Sequence, residues 1–422
     1  MPTKHRPSAA LLGVVLVLGL ALARAPASDF WRITVVDGPG VGPHTSLAIL
    51  PAGGPAIGYY DRDNGDLKYA WRDGATWHAT TVDSTGDVGG YTSLAVLPSG
   101  QPAISYFDFT NYALKYAWFD GTDWHIITVD DGDAGTWSAG RYGSLVILPT
   151  GQPAISYCAR NRLMYASFDG AVWNLTMVAP HAAATSLAVL PSGQPAIAYS
   201  DHWDYALKYA WYDGVTWHSA RVDGNASVLR WLSLAILPSG HPAICYRDYK
   251  TLDPYDSLKY AWFDGVRWLV EEVDPYGGDV RYATHISLGV QPSGHQAAVY
   301  RWGSGWVQYI WYDDYYDLWR GGGGWYGTAP SLAFRPSGKP SISYFDETNG
   351  ELRYAFAVDT GDLNCDGVIN AYDIDPFICA LSPNCDYAAE YPDCDKSLAD
   401  CNGDGVVNAY DIDGFIALLG GK

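Results

Sequence analysis

Along most of the chain, apolar and polar residues alternate with a period of two, in short runs closed by Gly, Pro and Asp. That is the pattern of half-buried β-strands rather than helices. The runs themselves recur. A block S-L-x-x-x-P opens at Ser46, Ser93, Ser144, Ser186, Ser233, Ser287 and Ser331, with 42 to 54 residues between successive copies. Each proline is followed by x-G, then by a segment such as PAISYFD, then LKYAW, then D-G-x-x-W and a run ending in V-D. Every segment alternates or is β-branched and aromatic, so each copy predicts four short strands. Pro98-Ser99-Gly100 and its equivalents join the first strand to the second, and Asp120-Gly121 and its equivalents join the third to the fourth.

A four-stranded antiparallel meander repeated at this period predicts a β-propeller, because one such sheet cannot cover both its faces while sheets stacked around an axis can. The ends of the array support closure. The seventh copy contains SLAFRPSGKPSISYFD and LRYAFAVD but no D-G-x-x-W run after them. The missing strand stands at the other end of the array as Trp31-Arg-Ile-Thr-Val-Val-Asp37, whose Trp-to-Asp spacing matches Trp124 to Asp130 and Trp217 to Asp223. The N-terminal strand is therefore expected to complete the last blade and close a seven-bladed ring over residues 28–359, which removes the open sheet edges that a solenoid, the alternative architecture, would leave.

The copies can be compared with one another. After the second strand, five carry an acid (Asp61, Asp108, Asp201, Asp248, Asp346), and the same five carry a base entering the third strand (Lys68, Lys115, Lys208, Lys259, Arg353). Copies three and six lack both, with Ala159 and Met164 in one and Trp302 and Gln308 in the other. Joint loss predicts a structural ion pair across the hairpin. The Trp of D-G-x-x-W is expected in the core or between blades.

Function is expected where the copies differ, at the long connections opposite the tight turns. Two residues before each inner-strand serine stand His44, Tyr91, Tyr142, Ala184, Trp231, His285 and Ala329. If that strand is innermost, these side chains ring the mouth of a central channel. They would plug it, stack on the apolar faces of sugar rings, or, through His44 or His285 with Tyr91 or Tyr142, act as acid and base. His44, Tyr91, Tyr142, Trp231 and His285 are the candidate ligand-binding residues. No nucleophile elbow, zinc helix or phosphate loop accompanies them.

Lys4, His5 and Arg6 precede an apolar run from Ala9 to Ala23 and a small-residue site, which predicts a secretory signal peptide over residues 1–27. Net charge is −20, and −23 once Lys4, Arg6 and Arg24 leave with that peptide. So acidic a chain argues against nucleic acid and anionic lipid as partners, and no other stretch is apolar enough to span a membrane. Of seven cysteines, Cys158 and Cys245 stand alone in the repeats and are expected to be buried. Cys365, Cys379, Cys385, Cys394 and Cys401 crowd together and admit several pairings.

Those five lie in a region of different character, residues 360–422. Asp362-Leu-Asn364-Cys-Asp366-Gly367-Val-Ile-Asn370-Ala-Tyr-Asp373 fits a twelve-residue calcium loop, with Asp362, Asn364, Asp366, Asn370 and Asp373 at side-chain ligand positions, Val368 supplying a carbonyl and Gly367 the sharp turn. The pattern recurs with Asp400, Asn402, Asp404, Val406, Asn408 and Asp411, and apolar runs (IDPFICAL, IDGFIALL) follow each loop. Two calcium ions are expected. This loop-helix pair, with no helix ahead of the first loop and Asp at position twelve, resembles the type I dockerin domain. The resemblance implies calcium-dependent folding, docking onto a cohesin-like partner and a setting in polysaccharide degradation. The recognition positions of that family fall on Ala371-Tyr372 and Ala409-Tyr410, where Tyr replaces the small hydroxyl residues common there. The sequence thus predicts a secreted propeller that binds a carbohydrate or a protein, carried by an attachment module. A polysaccharide lyase or glycoside hydrolase and a structural surface protein are the alternatives.

Overall fold

A computed structural model describes residues 31–73, 76–132, 139–224, 230–249, 257–273, 283–303, 305–313, 316–366, 368–391 and 394–420. The expected signal peptide, Gly367 and parts of the variable connections lie outside the described residues. Those described form seven antiparallel four-stranded sheets. Six are sequential meanders. In the seventh, the N-terminal strand Trp31–Asp37 pairs with the third strand Glu351–Ala357, with Trp31 opposite Ala357 and Val35 opposite Arg353. The chain is a seven-bladed propeller closed by its N-terminal strand. Blades 1 to 7 are numbered here from the inner strands Val41–Ile49, Val88–Val96, Ala139–Ile147, Ala184–Val189, Leu232–Ile236, Thr284–Val290 and Thr328–Phe334.

The repeated residues hold neighbouring blades together. Each inner-strand serine accepts, through Oγ, the backbone N–H of the inner-strand leucine of the next blade at 2.9–3.1 Å, from Ser46 with Leu94 round to Ser287 with Leu332 and Ser331 with Leu47. This closed ring of seven explains a polar residue kept inside an apolar strand. At the tight-turn end, the proline of S-L-x-x-x-P packs against the turn glycine of the next blade. A Cβ at Gly151 would lie 3.2 Å from Pro98, and one at Gly240 would lie 3.1 Å from Pro191; both glycines have φ of +82°. Here the left-handed backbone and the space both call for glycine. The outer-strand tryptophans form a third ring. Trp31, Trp77, Trp124, Trp173, Trp217, Trp268 and Trp319 each meet, edge to face at 5.1–5.4 Å, the third-strand tyrosine of the preceding blade.

The described residues of the tail include three short α-helices, α1 (Ile374–Leu381), α2 (Tyr387–Glu390) and α3 (Ile412–Leu419). Phe377 of α1 stacks on Phe415 of α3 with ring centroids 4.0 Å apart. The pairing that the sequence left open is Cys365–Cys394 and Cys379–Cys385, with Cys401 outside any disulfide. Cys158 and Cys245 are buried, as expected. The tail shares a core with the closure seam: Tyr354, Phe356 and Val358 of blade 7 belong to one buried cluster with Leu363, Phe377 and Phe415. Arg72 Nη1 of blade 1 donates to the Asp366 carbonyl at 3.0 Å, and Arg32 Nη1 donates to the Cys365 carbonyl at 2.8 Å. Both arginines sit at the tight-turn ends of their strands, so the tail docks away from the channel mouth. Among the described residues no helix is long and apolar enough to cross a membrane.

Candidate functional site

The first strand of each blade is innermost, and the seven positions ahead of its serine converge. His44, Tyr91, Tyr142, Ala184, Trp231, His285 and Ala329 all line one cavity of about 200 Å³ at the mouth of the channel. The local backbone aims them there. In blades 2, 3, 6 and 7 the ladder to the second strand slips just before the serine. Tyr91, Tyr142, Trp231, His285 and Ala329 have φ between 50° and 63°. A non-glycine residue in this region costs on the order of 1 kcal/mol or more, and such strain persists only where the surrounding fold imposes it. Its recurrence with Ala329 ties it to the scaffold in these five blades rather than to an aromatic side chain; His44 and Ala184 do not share it.

The rings touch in sequence. His44 lies 4.9 Å from Tyr91, Tyr91 lies 4.8 Å from Tyr142, and Trp231 lies 3.8 Å from His285, centroid to centroid. Across Ala184 the gap from Tyr142 to Trp231 widens to 6.4 Å. The crown is thus two aromatic arcs separated by two alanines. Among the described residues that line the cavity there is no Asp, Glu, Lys or Arg. Burial pushes the His44 imidazole down to about 4. Burial, with smaller contributions from His44 and Arg301, pushes His285 down to about 3. Both are neutral at pH 7, and burial raises the Tyr142 phenol. His285 Nδ1 lies 3.2 Å from Thr284 Oγ1 and 3.5 Å from Thr328 Oγ1, so its near polar partners are hydroxyls. An imidazole this weakly basic is poorly matched to proton transfer at neutral pH. Apolar ring faces and neutral hydrogen-bonding groups suit recognition better.

The ion-pair position is present in all five blades that carry it, with a further acid at each. Across the hairpin, Lys68 to Asp61 is 3.7 Å, Lys115 to Asp108 is 3.8 Å, Lys208 to Asp201 and Lys259 to Asp248 are both 2.7 Å, and Arg353 to Asp346 is 2.9 Å. The closing Asp of V-D in the preceding blade also reaches in. Asp37 meets Lys68 and Tyr59. Asp83 meets Lys115 at 2.5 Å and the Tyr106 hydroxyl at 2.6 Å. Asp223 meets Lys259 at 3.3 Å and Tyr246 at 2.7 Å. Burial alone would raise the Asp83 carboxyl, but Lys115 and Tyr106 more than offset this and hold it below the usual range. Blades 3 and 6 end in Ala179 and Tyr326, without that Asp. In the blades that follow them a local acid takes its place, Asp204 on Lys208 at 2.5 Å and Glu351 on Arg353 at 2.9 Å. The clusters at Lys68, Lys115 and Lys259 join blades, those at Lys208 and Arg353 close within one, and none of these residues lines the mouth.

In the tail, both loops close on their twelfth residue. Asp373 accepts the N–H groups of Leu363, Asn364 and Asn370 at 2.7–3.1 Å. Asp411 accepts those of Asn402 and Asn408 at 3.1 and 2.8 Å. Asn370 and Asn408 cap the turns that lead into α1 and α3. Among the described residues no three His, Cys, Asp or Glu side chains gather as a compact metal cluster; the set here mixes carboxylates with Asn amides and the Val368 and Val406 carbonyls. It still fits a hard cation. Asp362, Asp373 and Asp411 are buried, and Asp400 Oδ1 is buried with no hydrogen-bond donor. A carboxylate oxygen in that state calls for a cation. Tyr372 and Tyr410, at the recognition positions, are 79% and 82% exposed.

Architecture and loops together define a closed propeller carrying a module of two loop-helix repeats. Residues 360–419 match the family model described as the dockerin type I domain. Dockerin domains bind calcium and attach to cohesins. No curated protein matches the chain. Among solved structures, the chain is similar to hydrazine synthase of Kuenenia stuttgartiensis, at 12% identity and a TM-score of 0.53 over 76% of this chain and 96% of that one. It is similar to an ulvan lyase of a new polysaccharide lyase family, at 12% identity and a TM-score of 0.51 over 77% and 96%. The fucose-binding lectin of Aleuria aurantia follows at 12% identity and a TM-score of 0.46 over 69% and 97%. At these identities the likeness is one of fold.

Proposed function

We propose that this is a secreted attachment-and-binding protein of polysaccharide degradation. Residues 28–359 hold a carbohydrate at the propeller mouth, and residues 360–422 dock onto a cohesin-type partner once calcium fills both loops. His44, Tyr91, Tyr142, Trp231 and His285 are the sugar-contacting residues. Asp362, Asn364, Asp366, Asn370 and Asp373 with the Val368 carbonyl hold one calcium; Asp400, Asn402, Asp404, Asn408 and Asp411 with the Val406 carbonyl hold the other. The observation that carries the sugar reading is the uncharged aromatic crown around an open cavity. Apolar faces of sugar rings stack on such side chains while neutral hydroxyl and imidazole groups meet the sugar hydroxyls. Among the described residues the lining holds no pair of carboxylates of the kind with which most glycoside hydrolases act, which ranks binding above cleavage. The full chain, loaded with calcium, should be retained by at least one member of a panel of insoluble polysaccharides without releasing reducing or unsaturated ends. Release of such ends would move the assignment to an enzyme. Absence of both retention and release would sink the carbohydrate reading.

A further inference from the structure

Blade 6 departs from its neighbours beside the mouth. Where five blades place the Asp and the base, it has Trp302 and Gln308. Trp302 stands directly opposite Trp306 on the third strand, and Trp306 directly opposite Tyr326 on the outer strand. Residues directly opposite in an antiparallel ladder share a face, so these three aromatic side chains form one row across the blade. They are 40%, 44% and 44% exposed. The opposite face is accounted for, because Val307 and Trp325 pack there into the core shared with blade 7. Gly305 keeps the hairpin clear of the row, since a Cβ on it would lie 2.8 Å from the Tyr326 ring. The row also continues the mouth outward. Thr284, beside His285 on the inner strand, is opposite Arg301, and Trp302 follows directly. Arg301 itself shares the other face with Val307 and pairs there with Glu347 of blade 7 at 3.4 Å, so its charge is met away from the row.

We propose that Trp302, Trp306 and Tyr326 form a second, outer set of subsites on a track leading from the mouth, so that the ligand is the end of a neutral oligosaccharide chain. The terminal sugar sits among Tyr91, Trp231 and their neighbours, and the following sugars lie on the blade 6 row. From Trp302 to Tyr326 the row spans two strand spacings, roughly 10 Å, enough for consecutive sugar rings. A protein surface would bury such rings against aliphatic side chains and paired charges. Three exposed aromatic residues in one row, with Gly305 leaving the hairpin clear beside them, offer stacking faces. The proposal rests on the mouth as a sugar site.

The test uses the full chain with calcium and, as probes, the hexaoses and disaccharides of β-1,4-linked glucose, xylose and mannose, measured by titration calorimetry. At least one hexaose should bind tenfold or more tighter than its disaccharide. Trp302→Ala with Trp306→Ala should remove that advantage, about tenfold for each strongly stacking ring, and leave the disaccharide unchanged. Trp302→Phe with Trp306→Phe should restore most of it, which separates stacking from loss of structure. Tyr91→Ala with Trp231→Ala should weaken both lengths together. An unchanged hexaose affinity in the Trp302/Trp306 variant, alongside weakening by the mouth variant, would overturn the outer subsites and leave the mouth intact. If the mouth variant changed neither length, or if no probe bound the wild-type chain, the mouth reading and this extension would fall together.

Discussion

Lys115 sits between two acids from different blades, and its removal should be severe in one background and mild in another. Its Nζ lies 2.5 Å from Asp83 and 3.8 Å from Asp108, with side-chain exposures of 11% for the lysine and 2% for each aspartate. Lys115→Met would leave two buried carboxylates without their cation, a change that costs about 3–5 kcal/mol when one partner of a buried pair is lost. That is a large share of the roughly 5–15 kcal/mol by which a domain is stable. Blade 3 carries the remedy in the wild-type chain. There Ala159 and Met164 replace the hairpin acid and base, while Asp130 from the preceding blade keeps its bond from the Tyr157 hydroxyl at 2.6 Å. Adding Asp108→Ala to Lys115→Met rebuilds that arrangement in blade 2 and should return at least half of the loss, roughly 2 kcal/mol. Urea unfolding at pH 7 and fixed calcium, followed by tryptophan fluorescence, measures each difference, provided the slopes agree. A double-mutant cycle should also give Lys115 a larger coupling to Asp83 than to Asp108, because only the shorter contact is a charge-assisted hydrogen bond. A Lys115→Met cost below about 1 kcal/mol, or a double variant no more stable than the single, would refute the reasoning.

Further outcomes follow from the mouth and the tail. His44 and His285 have folded values of about 4 and about 3, below the ordinary 6.5, so their contribution is complete above that value. It is lost as acidification protonates the unfolded chain first, on the order of 2 kcal/mol per histidine after allowing for partial exposure. His44→Gln with His285→Gln should therefore shrink the drop in urea midpoint between pH 7 and pH 4.5. Calcium titration of the chelator-treated full chain should show two ions, and Asp400→Ala should leave one by calorimetry. Arg72→Met removes a guanidinium donor to the first loop, worth about 2 kcal/mol. It should loosen the tail, seen as faster proteolysis near residues 358–361, while far-UV circular dichroism stays unchanged.

The strands, the blade count and the closing role of residues 31–37 were legible because each rests on local chemistry: period-two alternation, P-S-G and D-G turns, and a strand missing at one end that stands at the other. The crown was legible because one residue offset, applied to an inner strand, puts seven side chains at one rim. What escaped the sequence is long-range. The hairpin acid and base vary together and so were visible. Asp37, Asp83 and Asp223 were not, because an Asp at a strand end reads as a turn residue and its partners sit in the next blade. The serine ring did leave a signal, a polar residue recurring inside an apolar strand. The disulfides left none, since five crowded cysteines admit many pairings. Nor did Arg32 and Arg72, which look like ordinary surface bases until the tail is seen against them.

The two ends of the propeller therefore divide the work. Serine, proline, glycine, tryptophan and the strand-end aspartates are each taken up by contacts to a neighbouring blade, so they are not free to vary with the ligand. The residues left free are those at the mouth rim and the blade tips, where blade 6 has exchanged an ion pair for aromatic rings. The tail grips the opposite, tight-turn end through Arg32 and Arg72, beside the seam where Trp31–Asp37 closes the ring. A partner held by Tyr372 or Tyr410 would then leave the mouth uncovered. On the proposed reading, anchoring and recognition then do not compete for surface, and the scaffold could change its ligand without changing its attachment.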